Sequence, residues 1–114
     1  MLNESAINFL CLKKELSEAQ FSKRRVSGNS MFPLLHHGDE VIIEKKDCYQ
    51  SGDILVFLYN GNAVVVHRLL KKFNGYIYCK GDNNENIERI SAGDIAGSVA
   101  YIIRNGEMYV PPKV

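Results

Sequence analysis

The sequence predicts a mainly β domain, built from antiparallel strands and preceded by one short helix. Three observations predict it. Asn-Gly dipeptides occur at Asn60-Gly61, Asn74-Gly75 and Asn105-Gly106, each between runs rich in β-branched and aromatic residues, which is the pattern of strands folding back through tight turns. Helical periodicity is confined to residues 3 to about 20. At 114 residues the chain can close one hydrophobic core and is too short for two.

In the helical stretch, Ile7, Leu10, Cys11 and Leu16 fall near one face, and Asn3 or Ser5 suits the N-cap. The helix is read as packing on the domain or leading flexibly into it. The competing reading is a docking helix for a membrane surface or a partner. Residues 1–25 are accordingly expected to be a helical lead-in, residues 26–110 the β domain, and residues 111–114, starting with Pro111-Pro112, a frayed end. Val41-Ile42-Ile43 follows the turn at His37-Gly38-Asp39. Residues 54–59 and 63–70 flank Asn60-Gly61-Asn62 as the two arms of a hairpin. Tyr76-Ile77-Tyr78-Cys79 comes after the second Asn-Gly, and residues 99–104 and 108–110 flank the third.

Composition excludes several classes. A formal net charge of +1 gives no footing for a nucleic-acid partner, and Lys23-Arg24-Arg25 reads as solvated surface. Three cysteines, Cys11, Cys48 and Cys79, at wide spacing fit reduced thiols and no disulfide framework. They form no ligand cluster with the histidines, so neither metal nor cofactor is expected. No apolar run approaches the roughly 20 residues that span a bilayer, and no secretory pattern opens the chain. A soluble, cytoplasmic protein is expected.

The chemistry-bearing residues come in a particular order: Ser30 in Gly28-Asn29-Ser30-Met31-Phe32-Pro33, then His67, then Asp82 in Lys80-Gly81-Asp82-Asn83-Asn84. A hydroxyl, an imidazole and a carboxylate are the attacker, the proton acceptor and the orienting group of nucleophilic catalysis. Gly28 permits close approach of another backbone, and Pro33 restrains Phe32, so the segment can present a serine hydroxyl and its N–H at a fixed place. In an extended segment, Val65, His67 and Leu69 share one face, with Val66, Arg68 and Leu70 on the other. Each residue alone also fits an ordinary role: a turn serine, a core histidine bonded to a carbonyl, an aspartate closing its own turn.

Taken in order, Gly28 to Leu35, Gly38-Asp39, Ser51 to Phe57, His67-Arg68-Leu69-Leu70, Lys80 to Asn84 and Gly93 to Val99 resemble the successive boxes of type I signal peptidases, within the superfamily that also holds LexA-like self-cleaving repressors. The resemblance covers residues 26 to about 103. It implies a small domain of coiled antiparallel sheets forming a partly open barrel. It further implies Ser30 as nucleophile, His67 as general base, either Asp82 or Glu88 as the orienting carboxylate, and Gly28, Asn29, Met31 and Pro33 as substrate-binding residues. Bacterial members carry lysine where His67 falls, whereas archaeal and endoplasmic-reticulum-type members carry histidine followed by arginine. This chain is similar to the latter. A lysine base must fall from about 10.4 towards 7, a cost on the order of 4–5 kcal/mol, while imidazole starts near 6.5. Two features depart from the pattern: Glu88 stands where aspartate is usual, and no membrane anchor is evident. The implied function is a soluble serine endopeptidase that removes a leader from a precursor peptide or protein bound as an extended strand. The alternatives are a peptide-binding module that has lost efficient catalysis and, third, a fragment of a self-cleaving repressor.

Overall fold

All three Asn-Gly dipeptides are hairpin turns. The structure, a computed structural model, describes residues 6–112. Asn60, Asn74 and Asn105 have φ of 53°, 51° and 53°, and the glycines after them 71°, 79° and 76°. These are the paired left-handed conformations that match the twist of a hairpin. They join β3 (Ile54–Tyr59) to β4 (Ala63–Phe73), β4 to β5 (Tyr76–Lys80), and β7 (Ile95–Arg104) to β8 (Glu107–Tyr109). The remaining elements are α1 (Ala6–Ala19), β1 (Phe21–Arg25), β2 (Glu40–Glu44), β6 (Ile87–Ile90) and a single 3₁₀ turn at Ala92–Asp94.

The eight strands among the described residues form one sheet, ordered β1-β2-β7-β3-β4-β5-β6 with β8 also on β7, and every pairing is antiparallel. Register shifts at Ile42/Ile43, Val56/Phe57 and Leu69/Lys71 bend the strands, and the sheet curls into a half-barrel. Residues 21–25, inside the stretch read as a helical lead-in, are strand β1, paired along their length with β2. Within the Lys23-Arg24-Arg25 run, Arg24 is ion-paired to Glu15 of α1 at 2.9 Å, so this segment fastens the helix to the sheet.

The curl gives two apolar layers. Ile54, Val56, Val64, Val66, Val41, Ile43 and Ile102 face one way, and Leu55, Phe57, Val65, Leu69, Ile77, Cys79 and Ile90 the other. Strands buried on both faces explain why residues 54–57 read as an unbroken apolar run. Helix α1 covers the first layer through Phe9, Leu12 and Leu16, each worth about 2 kcal/mol of burial. This corrects the stripe read from sequence. Ile7 and Leu10 are 74% and 67% exposed and Cys11 is exposed too; only Leu16 belongs to both readings. Phe9, Leu12 and Leu16 keep helical spacing about a stripe with a larger apolar area. The proposed caps Asn3 and Ser5 lie outside the described residues, as do residues 113–114.

Between β1 and β2 the chain makes a long loop closed at its base, where the Val26 N–H donates to the Asp39 carbonyl at 2.7 Å and the Gly38 N–H to the Val26 carbonyl at 2.9 Å. The Asp39 side chain is buried and accepts from Arg104 Nε at 2.9 Å, Arg104 Nη2 at 2.6 Å and the His36 N–H at 2.8 Å. Arg104 Nη2 also reaches the Leu34 carbonyl at 3.0 Å, so β7 holds the loop. Burial pushes the Asp39 carboxyl up, but the Arg104 fork and the His36 N–H outweigh it and hold the group below the ordinary carboxylate range. A folded-state pKa below the unfolded one contributes stability above the unfolded value and loses it as pH falls through the folded one. Asp39→Asn is therefore expected to lose about 3 kcal/mol near neutral pH. Its melting temperature should also fall less than that of the wild type between about pH 6 and 3; parallel melting curves would contradict the assignment.

Candidate active site

Ser30 lies at the start of a run of turns in the β1–β2 loop and is half-buried. The run is tightened by Phe32 N–H to the Asn29 carbonyl at 3.1 Å and Leu35 N–H to the Met31 carbonyl at 2.9 Å. Met31 and Leu35 sink into the first apolar layer, at 2% and 0% exposure, and so moor the serine segment to the core.

A second loop, residues 81–84, is stapled to the first. Asn83 donates its N–H to the Ser30 carbonyl at 2.9 Å and its side-chain amide to the Asn29 carbonyl at 3.0 Å. The Asp82 N–H points at Met31 Sδ at 3.3 Å. Gly81 is the point of closest approach. A methyl placed there would sit 2.6 Å from the Ser30 carbonyl oxygen, 2.9 Å from His67 Nε2 and 3.1 Å from His67 Cδ2. No side chain fits that space, and the absence of one is what lets the serine segment and the Nε2 edge of the imidazole border the same gap.

His67 is on β4, 5% exposed, with its ring edge-on to Phe57 at 6.3 Å. As the alternation predicts, it shares the layer of Val65 and Leu69. Its Nδ1 lies 2.8 Å from Glu88 Oε1, and Glu88 is itself 8% exposed. Glu88 reaches the imidazole because β6 pairs Glu88 opposite Cys79 of β5, inside that layer. An ionised carboxylate only accepts, so the proton of a neutral imidazole belongs on Nδ1 and the lone pair on Nε2, toward Gly81 and the serine segment.

Asp82, the other carboxylate carried as a candidate for orienting the imidazole, is engaged elsewhere. Both its oxygens meet Arg68, at 2.8 Å from Nε and 2.7 Å from Nη2, while Arg68 Nη1 donates to the Gly52 carbonyl at 3.0 Å. Arg68 follows His67 and therefore points to the opposite side of the strand. The Asp82 hydrogen bonds raise the Arg68 pKa further above its ordinary value, against the opposing effect of burial. The pair ties the 81–84 loop to β4 and to the β2–β3 connection.

The four proposed substrate contacts divide. Met31 is corrected: its side chain is core, and its sulfur faces the Asp82 N–H, so no side-chain contact with a peptide is open to it. Gly28, with φ of 84°, donates its N–H to His37 Nδ1 at 3.0 Å. Asn29 uses its carbonyl within the loop staple. Pro33 is exposed beside Phe32, whose ring stacks on His36 at 5.1 Å. Cys79, adjacent to Glu88, is not a competing nucleophile. Burial and the Glu88 charge push its thiol up to about 12, so it stays protonated. Sequence reasoning missed Arg68, Asn83 and Arg104 as the residues that fix the loops. The His67-Arg68 dipeptide was the available signal, since adjacent strand residues serve opposite faces.

The curled antiparallel half-barrel with one short helix is a peptidase-type fold of the signal peptidase and LexA superfamily, with the Ser30 segment and the His67–Glu88 pair beside the gap at Gly81. The chain belongs to the Peptidase S24-like family, whose sequence profile matches residues 13–103 and so takes in Ser30, His67, Asp82 and Glu88. No curated protein matches it. Among the described residues no helix is long and apolar enough to cross a membrane.

Proposed function

We propose that the protein is a serine endopeptidase of signal-peptidase-like type that trims a leader from a peptide or protein precursor. The Ser30 hydroxyl attacks the scissile carbonyl carbon, forming the new C–O bond as its proton passes to His67 Nε2. The imidazolium returns that proton to the departing amine when the C–N bond breaks. Water, deprotonated by the same nitrogen, then hydrolyses the acyl-enzyme and restores the hydroxyl. Glu88 holds the imidazole in the required tautomer and stabilises its charged form, while Asp82 acts through Arg68 to position the loop across from Ser30. The observation that carries this reading is the buried 2.8 Å His67–Glu88 contact, with Nε2 left toward the serine segment.

A histidine followed by Arg68 supports a likeness to the archaeal and endoplasmic-reticulum histidine-type branch. The substrate binds as an extended strand, with small side chains next to the cut, and the enzyme works in the cytoplasm. The test is incubation of the protein, beside its Ser30→Ala variant, with peptides encoded by neighbouring genes, followed by mass spectrometry of the products. A single cleavage made by the wild type alone supports the reading. Intact peptides throughout, or equal cleavage by both proteins, would sink it.

A further inference from the structure

On the side of the sheet that carries His67, but towards the far end of β5, lies a groove of about 470 Å³. Its lining includes the apolar residues Ile77 and Ile95 and the half-buried Tyr49. Four lysines also line it: Lys13 from α1, Lys45 and Lys46 from the β2–β3 connection, and Lys72 from β4. Among the described residues Asp47 is the one acidic side chain in that lining. Lys46 approaches Asp53 at 3.8 Å, Lys13 donates to the Gly93 carbonyl at 3.3 Å, and Lys72 lies 3.7 Å from the Cys48 sulfur. The Asp53, Glu44 and Asp47 carboxylates all act on Tyr49 and Lys46 is paired with Asp53, so among the described residues Lys13, Lys45 and Lys72 are the ammonium groups of the lining that lie in no ion pair.

We infer that the groove is a docking site for an acidic, apolar segment of the precursor, away from the bond to be cut. Naming the precursor as occupant rests on the peptidase reading above. Two observations favour a peptide. The lining pairs apolar surface with ammonium groups, which suits a chain bearing both carboxylates and large apolar side chains. The groove is also continuous with the apolar layer of the candidate active site. Ile77 is two residues along β5 from Cys79, the residue opposite Glu88, and Ile95 pairs with Phe57, whose ring meets His67. A docked segment raises the effective concentration of the scissile bond without adding a contact at the bond itself. Sequence selectivity then comes from the leader, and the residues at the cut need only be small.

The test uses full-length Ser30→Ala protein, so that binding is read without cleavage. The probe is a fluorescein-labelled twelve-residue peptide containing four glutamates, two leucines and a phenylalanine, compared with the same peptide carrying glutamine for glutamate. Saturable binding is expected, with amide resonance shifts centred on Tyr49, Ile77 and Ile95. The glutamine peptide should bind at least fivefold more weakly. Adding Lys45→Glu and Lys72→Glu should weaken the acidic peptide at least tenfold while leaving the circular dichroism spectrum unchanged. Equal affinity for the two peptides, shifts centred away from the groove, or no binding at millimolar peptide would overturn the inference. So would displacement of the peptide by phosphatidylglycerol vesicles at lower concentration, which would assign the surface to a membrane. Capture without cleavage by the wild type removes the peptidase reading, and with it the naming of a precursor as occupant, but keeps the groove as a peptide site. Cleavage without capture removes only the groove.

Discussion

Ser30→Ala and His67→Ala are each expected to lower cleavage of a precursor by at least about 10³-fold, with the double variant no worse than the more severe single one. In the proposed mechanism nucleophile and base act as one unit, so removing either should remove nearly the whole chemical step. The fold should persist in both variants. Ser30 sits on a loop held by Met31, Leu35 and the Arg104–Asp39 pair, none of which needs the hydroxyl. His67→Ala opens a small cavity beside Phe57 and leaves Glu88 buried without its imidazole partner, so its melting temperature should drop moderately. Parallel assays of turnover and thermal unfolding check this. A His67→Ala protein that stays folded and keeps more than about a tenth of wild-type turnover would assign the base elsewhere.

The second large effect separates the two carboxylates. Glu88→Gln is expected to cut turnover by about 10² to 10⁴ with little change in melting temperature, because an amide can still accept from Nδ1 but no longer stabilises an imidazolium. Asp82→Asn should do the reverse in emphasis. It removes the partner of a buried guanidinium, costing about 3 kcal/mol of stability, and reduces turnover only as far as the 81–84 loop loosens. Double-mutant cycles give a sharper form of the same test: Glu88 should couple strongly to His67 and Asp82 to Arg68. A larger turnover loss in Asp82→Asn, at unchanged melting temperature, would exchange the two roles.

What was legible in the sequence follows from the range of the signals. Asn60-Gly61, Asn74-Gly75 and Asn105-Gly106 are local: two consecutive left-handed residues admit few other uses, so three hairpins and the strands beside them could be read directly. Strands β1 and β6 could not. Phe21–Arg25 is mostly polar and Ile87–Ile90 is four residues long with a buried glutamate; both owe their conformation to the neighbouring ladder. The helix was legible and its buried face was not, because Ile7 and Leu10 offered a rival stripe to Phe9 and Leu12. At the candidate site, the serine-then-imidazole order and the face of His67 were available from spacing and alternation. The choice between Asp82 and Glu88 was not, since it depends on Glu88 lying opposite Cys79 across two strands.

Glu88 belongs to β6, which ends the sheet order and, among the described strands, pairs with β5 alone. Outermost ladders fray at lower free energy than the interior of a sheet. Detachment of this four-residue ribbon would uncouple acid from imidazole while β2, β3, β4 and β7 remained assembled. Under rising urea, then, inactivation should precede the loss of circular dichroism, so the domain's durability and its working state are governed by different parts of the same sheet.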